Sequence, residues 1–209
     1  VILPPWPMHY KLPQVLTPPV SWSPCGTLIA SSLYGTSIAI VDQRCGPLRN
    51  RNNNTIGWLA HEYPHEAPNG TVALTGLEFS PNGRILFSAG YDGFVRLWNN
   101  DTGNYEQLQE WNIQEEETAL QRRNSNYSLA IAISVSFCSK YVLAARGNCF
   151  FLKDVGSGNT IKSLMFPFYH SIKQCKFSID GRAIFIRLQE TIGIMVIKVW
   201  HPYLDDDND

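Results

Sequence analysis

The chain repeats itself, and this repetition limits its possible folds more than any other feature. Residues 22–41 align without a gap on residues 79–98. The matched pairs are Trp22 and Phe79, Pro24 and Pro81, Gly26 and Gly83, Ser31 and Ser88, Tyr34 and Tyr91, and Val41 and Trp98. Such self-similarity predicts an architecture built from one supersecondary unit, in which each unit buries its apolar face against the next.

Two weaker copies follow the matched pair. One begins at Phe137 and the other at Phe177, and the last copy runs to Trp200. The four starting positions are 57, 58 and 40 residues apart. These spacings favour a basic unit of about 40 residues, with insertions in two of the connections.

Each unit has the pattern of an antiparallel sheet. An apolar strand leads into a Ser-Pro-x-Gly type of turn, where proline and glycine set the backbone, and a short β-rich strand follows, as in Ile85–Ala89. The tight turn Tyr91-Asp92-Gly93 then leads to a strand of alternating polarity that ends at Trp98. A fourth, more polar strand is predicted at residues 55–61, 106–112 and 160–165.

These residues resemble the WD40-repeat family, most specifically over residues 77–103. The resemblance implies an all-β fold, a WD40-type β-propeller with about four recognisable four-stranded blades around a central channel. We place the propeller segment at residues 1–204, with blade cores at about 20–61, 74–112, 130–165 and 172–200 and an acidic tail at 205–209. Propellers close with four to eight blades and this family usually with seven, so we expect a larger ring, completed by further chain or by another subunit.

The resemblance also implies a buried set of hydrogen-bonded residues in each blade: an Asp in a turn, a Ser or Thr, a Trp and a His. The second copy carries Asp92, Ser88 and Trp98, whereas the His position falls on Gly70. The first copy keeps Ser31 but has Gly35 and Val41 in place of the Asp and the Trp. We predict that Ser88 and Trp98 are buried and that Asp92 is hydrogen-bonded inside its turn.

The same resemblance places the residue before the turn Asp at one end of the channel, where partners often bind. Tyr34, Tyr91 and, in a shorter copy, Arg146 take that position. Exposed Tyr and Arg are enriched at binding hot spots. The alternative is that the two tyrosines pack between blades. The leading hypothesis is therefore a scaffold that presents loops to a protein partner, with no catalysis and no cofactor. A repeat region of a larger multidomain regulatory protein is the second hypothesis.

A third hypothesis, a metal-dependent hydrolase, comes from the His61-Glu62-Tyr63-Pro64-His65 segment, which matches the HExxH zinc signature. That chemistry needs a helix that brings both imidazoles to one metal. Pro64 disrupts such a helix, and Pro68 and Gly70 favour a loop. We therefore predict no zinc at these residues, and that both histidines face solvent.

The long connection at residues 104–128 contains an acidic and then basic run from Glu115 to Arg123. This order suits a short helix by its dipole, and such a helix could dock a partner. Charge runs usually face water, so a solvated loop is the favoured interpretation. A mildly basic stretch at residues 49–54 lacks aromatic residues between its charges, which disfavours nucleic-acid binding.

Charge and cysteine content limit the compartment and the partners. The net charge is −1 and the pI is about 6.6, so no overall attraction to nucleic acid or anionic membranes is expected. The five cysteines include no CxxC pair, and no apolar run is long enough to cross a membrane. The chain shows no signal peptide and begins without Met, as an excerpt of a longer protein would. We expect an intracellular protein, in the cytoplasm or the nucleus, without a membrane partner.

Overall fold

The computed structural model describes residues 19–33, 37–42, 46–47, 59–60, 74–101, 105–120, 130–167, 170–190 and 195–200. These residues form four antiparallel sheets and one short helix. Each sheet is one blade, and its strands follow in chain order from the first strand outward. The all-β prediction is confirmed over the described residues.

The bounds of the strands are given blade by blade. Blade 1 contains β1 (Val20–Trp22), β2 (Leu28–Leu33) and β3 (Ser37–Asp42), with β4 (Gly46–Pro47) and β5 (Leu59–Ala60) both pairing with β3. Blade 2 contains β6 (Leu74–Phe79), β7 (Ile85–Gly90), β8 (Phe94–Asn99) and β9 (Glu106–Asn112). Blade 3 contains β10 (Ile131–Val135), β11 (Tyr141–Arg146), β12 (Cys149–Asp154) and β13 (Thr160–Met165). Blade 4 contains β14 (His170–Phe177), β15 (Ile184–Glu190) and β16 (Met195–Trp200). The helix α1 (Ile113–Leu120) follows β9.

Blades 1 and 2 share one register. In blade 1, Ser31 lies opposite Val20 and Ala39. In blade 2, Ser88 lies opposite Leu77 and Arg96, and each of these residues is 57 positions after its counterpart. The gapless alignment of the two copies is therefore also a structural equivalence.

The strand register of blade 3 shifts its alignment with blade 2 by two residues relative to the sequence prediction. The position of Phe79 in blade 2 is taken by Val135 and not by Phe137, because Val135 pairs with Val142 as Phe79 pairs with Leu86. Phe137 lies in the following turn and is 69% exposed. The sequence prediction that the copy begins at Phe137 is therefore wrong, and the aromatic residue that suggested it occupies the place of Pro81 in the turn.

One turn joins the first and second strands of every blade. A serine amide donates to the carbonyl of the fifth residue after it. The amide of that fifth residue donates to the serine hydroxyl at 2.9 Å. The four serines are Ser23, Ser80, Ser136 and Ser178. The third residue after the serine has a positive φ and is glycine in three blades, whereas Ser139 occupies this position in blade 3. Glycine suits it because residues with a Cβ are strained in this region.

The blades stack face to face through three apolar cores. Blade 1 packs on blade 2 around Ile38, Leu86 and Trp98, and blade 2 packs on blade 3 around Phe87 and Phe151. A third core between blades 3 and 4 contains Phe150 and Ile186, among others. Burial of these faces is the main stabilising contribution, since apolar area removed from water contributes roughly 25 cal/mol per Å².

The first strands of neighbouring blades are linked by hydrogen bonds from a backbone amide to a side chain. We call the accepting side chain the seam acceptor. The amides of Phe79, Val135 and Phe177 donate respectively to Ser21 Oγ at 2.9 Å, Glu78 Oε1 at 3.1 Å and Ser134 Oγ at 3.3 Å. The three acceptors occupy equivalent positions, and the same device therefore joins all three seams.

Two other sequence predictions can be compared with this fold. The fourth strands of blades 2 and 3 begin and end at the predicted residues, 106–112 and 160–165. The preference for a solvated loop after β9 is wrong for residues 113–120, which form α1 with Ile113 and Glu117 buried. No helix in the described part of the chain has the length and apolar character needed to span a membrane.

Candidate protein-interaction surface

One end of the stacked blades carries the candidate surface. Antiparallel strands place the turn between β7 and β8 and the turn between β11 and β12 at the same end, opposite the serine turns. Helix α1 lies against both, because the Ile113 and Gln114 amides donate to the Gly93 carbonyl and Glu117 pairs with Arg146. We call this end, formed by the Tyr91 turn, α1 and the Arg146 turn, the turn face.

The Tyr91 turn is held by Asp92. Its Oδ1 accepts the Phe94 amide at 3.1 Å, and its Oδ2 accepts Nη1 of Arg96 at 2.5 Å. Arg96 also donates from Nε to Glu110 Oε2 at 2.7 Å, and its guanidinium lies 5.2 Å from the Phe94 ring centre. Arg96 is buried, so these carboxylates compensate a charge withdrawn from water. The turn that carries Tyr91 is consequently fixed by a buried ionic network.

The structure brings Ser88 and Trp98 together beneath this turn. Both are buried, and Trp98 Nε1 donates to Ser88 Oγ at 2.8 Å. In this blade Asp92 accepts a hydrogen bond from Arg96. The position that the resemblance assigns to His falls on Gly70, which lies outside the described residues. In blade 1, Val41 takes the position of Trp98, and the Ser31 hydroxyl donates to the Ser32 carbonyl at 3.4 Å.

Tyr91 lies at the tip of the turn with its side chain half-buried. This partial burial raises the pKa of its phenol above the ordinary value, so the group stays protonated at neutral pH. It offers an amphipathic ring with a hydroxyl that can donate. Tyr34, the equivalent residue of blade 1, lies outside the described residues.

Helix α1 begins at a well-formed cap. Asn112 Oδ1 accepts the Glu115 amide at 3.0 Å, and the Asn112 side chain donates back to Glu115 Oε2 at 3.2 Å. Glu115 and Glu116 lie in the first turn, where the helix dipole favours acidic groups. The acidic half of the charge run therefore forms the helix, whereas Arg122 and Arg123 lie outside the described residues.

Arg146 differs from the exposed contact residue that the sequence suggested. It is 5% exposed and donates to Glu117 Oε2 at 2.5 Å and to Gln114 Oε1 at 3.4 Å. With α1 in place, a partner at the turn face would meet the helix before this guanidinium. Arg146 is buried because α1 covers the turn of blade 3.

Two charged residues that hold the Tyr91 turn and helix α1, Arg96 and Lys153, were not identified from the sequence. Arg96 fixes the Tyr91 turn, Lys153 donates to Glu116 Oε1 at 2.6 Å, and Glu116 accepts Thr160 Oγ1. Lys153 takes the place in blade 3 that Trp98 takes in blade 2, since both lie opposite equivalent residues of the second strand. The spacing of Asp92 and Arg96 favours an ion pair across the turn, whereas nothing in the sequence around Lys153 indicates that it is buried.

The described residues offer no group of three or more His, Cys, Asp or Glu side chains that could hold a metal ion. His61, Glu62 and His65 lie outside them, so the expectation that they bind no zinc stays a prediction.

Comparison with known proteins agrees with this architecture. Residues 60–99 match the family model for the WD domain, G-beta repeat. No curated protein matches the chain. The fold is similar to Kuenenia stuttgartiensis hydrazine synthase, with a TM-score of 0.63 and 16% sequence identity over 94% of this chain and 49% of that chain. This chain thus spans about half the length of that one, and identity at this level is informative about the fold alone.

The chain therefore carries a WD40 repeat and folds as a WD40-type β-propeller with about four blades. WD40 repeats generally act as scaffolds for protein–protein interaction and are typically not enzymes. Many chains of solved structure share this fold, and the fold alone does not define the function.

Proposed function

We propose that this chain is a non-catalytic intracellular scaffold that binds a protein partner at the turn face. The observation that carries the proposal is the Tyr91 turn: a half-exposed tyrosine stands on a backbone fixed by the Asp92, Arg96 and Glu110 network. A rigid aromatic anchor loses little conformational entropy on binding, which is why Tyr is frequent at hot spots. Loops on a rigid scaffold are also where proteins commonly place binding residues.

The experiment compares proteins captured from cell extract by the wild-type chain and by the Tyr91→Ala variant. We expect capture of a specific partner to fall at least about ten-fold, as loss of a hot-spot side chain does. Phe137→Ala is the matched control, because Phe137 is an exposed aromatic residue at the opposite end of the blades.

Circular dichroism establishes that both variants stay folded. A partner lost with Phe137→Ala and kept with Tyr91→Ala would place the binding surface at the serine-turn end and contradict the proposal. Capture that is unchanged in both variants would also contradict it.

A further inference from the structure

Helix α1 is attached to blade 3 by charge more than by apolar contact. Ile113, its first residue, is fully buried between blades 2 and 3. The side-chain contacts that α1 makes with blade 3 beyond Ile113 are polar and mostly charged. Glu117 pairs with Arg146, and Glu116 pairs with Lys153 and accepts a hydrogen bond from Thr160. An isolated helix of eight residues is not stable in water, so its helical form depends on this docking.

Blade 3 supplies the complementary site. Arg146 ends β11, Lys153 lies in β12 and Thr160 begins β13, so three adjacent strands position the groups that meet the helix. We call Arg146, Lys153 and Thr160 the basic seam. Both cations are buried, at 5% and 3% exposure, and the Lys153 ammonium also lies 5.4 Å from the Trp111 ring centre. A site of this kind is complementary to two carboxylates on successive residues of a helix.

The connection between blades does not require this helix. Residues 166–169 alone join β13 to β14, whereas residues 113–130 lie between β9 and β10. The additional residues include α1, whose Glu116 and Glu117 contact the basic seam of the same chain. Charge-assisted contacts of this kind are sensitive to ionic strength where they reach solvent, and Glu116 and Thr160 do so.

We propose that the basic seam is a binding site for an acidic helical segment of a partner protein and that α1 occupies this site in cis. Release of α1 exposes Arg146 at the turn face and Lys153 farther along blade 3, toward its serine turn, and the partner segment replaces the Glu116 and Glu117 carboxylates. The inference rests on the proposed function, since it states the partner chemistry for a site that begins at the turn face.

The experiment uses the full chain and a fluorescent peptide of residues 111–121 as the probe. In the E116Q/E117Q variant, α1 has lost the carboxylates that compete for the seam. Fluorescence anisotropy should therefore show the peptide binding this variant at least ten-fold more tightly than the wild type. The matched control peptide carries Gln at both positions and should not bind, and a further K153M change should abolish binding of the acidic peptide.

Equal binding of the two peptides, or no binding to a folded E116Q/E117Q chain, would overturn the proposal. Hydrogen exchange of the wild-type chain keeps the test decisive if the variant does not fold. A releasable helix predicts that α1 amides exchange at least a hundred-fold faster than those of β7 and β11, and faster still in 0.5 M salt. A helix without a released state would exchange at the same rate at either ionic strength.

These results are independent of the capture experiment on Tyr91. A failed peptide test with Tyr91→Ala still losing its partner refutes the cis-ligand inference alone. Unchanged capture by the Tyr91→Ala variant with a successful peptide test refutes the role of Tyr91 alone.

Discussion

At the scale of single residues, buried polar contacts decide how each blade is held. Trp98 illustrates this, since its ring fills the core between blades 1 and 2 while its Nε1 is satisfied by Ser88 Oγ at 2.8 Å. An indole buried without an acceptor would incur the cost of an unmade hydrogen bond. The pair therefore couples apolar packing to polar satisfaction at one place.

Replacement of Trp98 by Ala should lower the free energy of unfolding by about 3–5 kcal/mol, as truncation of a large core aromatic residue does. Urea unfolding followed by circular dichroism measures it. Ser88→Ala is the control that keeps the indole ring and removes the Ser88 hydroxyl, and we expect a smaller loss of about 1–3 kcal/mol for it because the hydrogen bond from Trp98 Nε1 is lost. A loss below about 1 kcal/mol for Trp98→Ala would contradict the blade geometry.

Cys25 gives a prediction of pH dependence. It is exposed in the serine turn of blade 1, and hydrogen bonds with Ser23 and Thr27 lower the pKa of its thiol to about 7. The thiolate is the nucleophile, so alkylation by iodoacetamide should rise with pH to half its maximum near 7.

Peptide mapping by mass spectrometry follows each cysteine separately. Cys138 holds the same place in blade 3, where Lys140 replaces Thr27, and it serves as the internal comparison. Thr27→Ala should move the Cys25 midpoint to higher pH, because one hydrogen bond to the thiolate is lost. A Cys25 midpoint above about 8.5, the value of an ordinary thiol, would refute the proposed hydrogen bonding.

At the scale of elements, the serine turn is the most regular feature of the chain. Gly26 holds the positive-φ position of blade 1 at φ 70°, with no atom within 4 Å of a Cβ built on it. Strain of the backbone is therefore separable from steric collision at this residue.

Gly26→Ala should destabilise the chain by about 1–2 kcal/mol, the cost of placing a Cβ in the left-handed region. Gly156→Ala is the matched control, since its nearest contact would be Asp154 Oδ1 at an ordinary 3.5 Å. Thermal unfolding should show no loss for this control. Equal losses for both variants would mean that backbone conformation at Gly26 is not the cause.

The elements also show how far the sequence is predictive. Strands and turns are local patterns, so the fourth strands at Glu106–Asn112 and Thr160–Met165 and the turn at Tyr91 could be predicted within one repeat. The helix at residues 113–120 could also have been predicted in preference to a loop, because Asn112 and Glu115 form a capping pair at its start. The burial of Arg146 could not, because it depends on Glu117, which precedes it by 29 positions in another blade connection.

At the scale of the whole molecule, blades 1 and 4 each have an exposed outer face, whereas the equivalent faces of the inner blades are buried. Leu77 and Phe79 are 7% and 5% exposed against blade 1, whereas their blade 1 counterparts Val20 and Trp22 are 53% and 54% exposed. At the other end of the stack, Phe185 is 44% exposed where its blade 2 counterpart, Phe87, is fully buried. We propose that further blades, of the same chain or of another subunit, cover these faces.

The two outer faces are not equivalent as docking sites. Blade 4 carries Lys176 where blades 1 to 3 carry the seam acceptor, and its ammonium bonds Glu78 Oε2 at 2.5 Å. A lysine cannot accept a backbone amide, so a blade that docks on blade 4 needs another link.

Exposure of the blade 1 face should be visible in solution. The folded chain should bind an apolar fluorescent dye, and Trp22→Ser should reduce that fluorescence, because a contiguous apolar face is what such dyes bind. Phe137→Ser, which changes an exposed aromatic residue in a turn, should leave the fluorescence unchanged. Dye binding that is absent from the wild type, or lowered equally by both changes, would contradict an open face.

The central claim is that these sheets stack as propeller blades joined at their first strands. The most direct test is hydrogen exchange of the Phe79 amide, which points out of its own sheet to Ser21 Oγ at 2.9 Å. We predict strong protection of this amide, and about five-fold faster exchange in the Ser21→Ala variant, since about 1 kcal/mol of hydrogen bonding is lost. The Phe177 amide, bonded to Ser134 at the third seam, should be unaffected. A Phe79 amide that exchanges at the rate of an unstructured chain in the wild type would contradict the stacking of the blades.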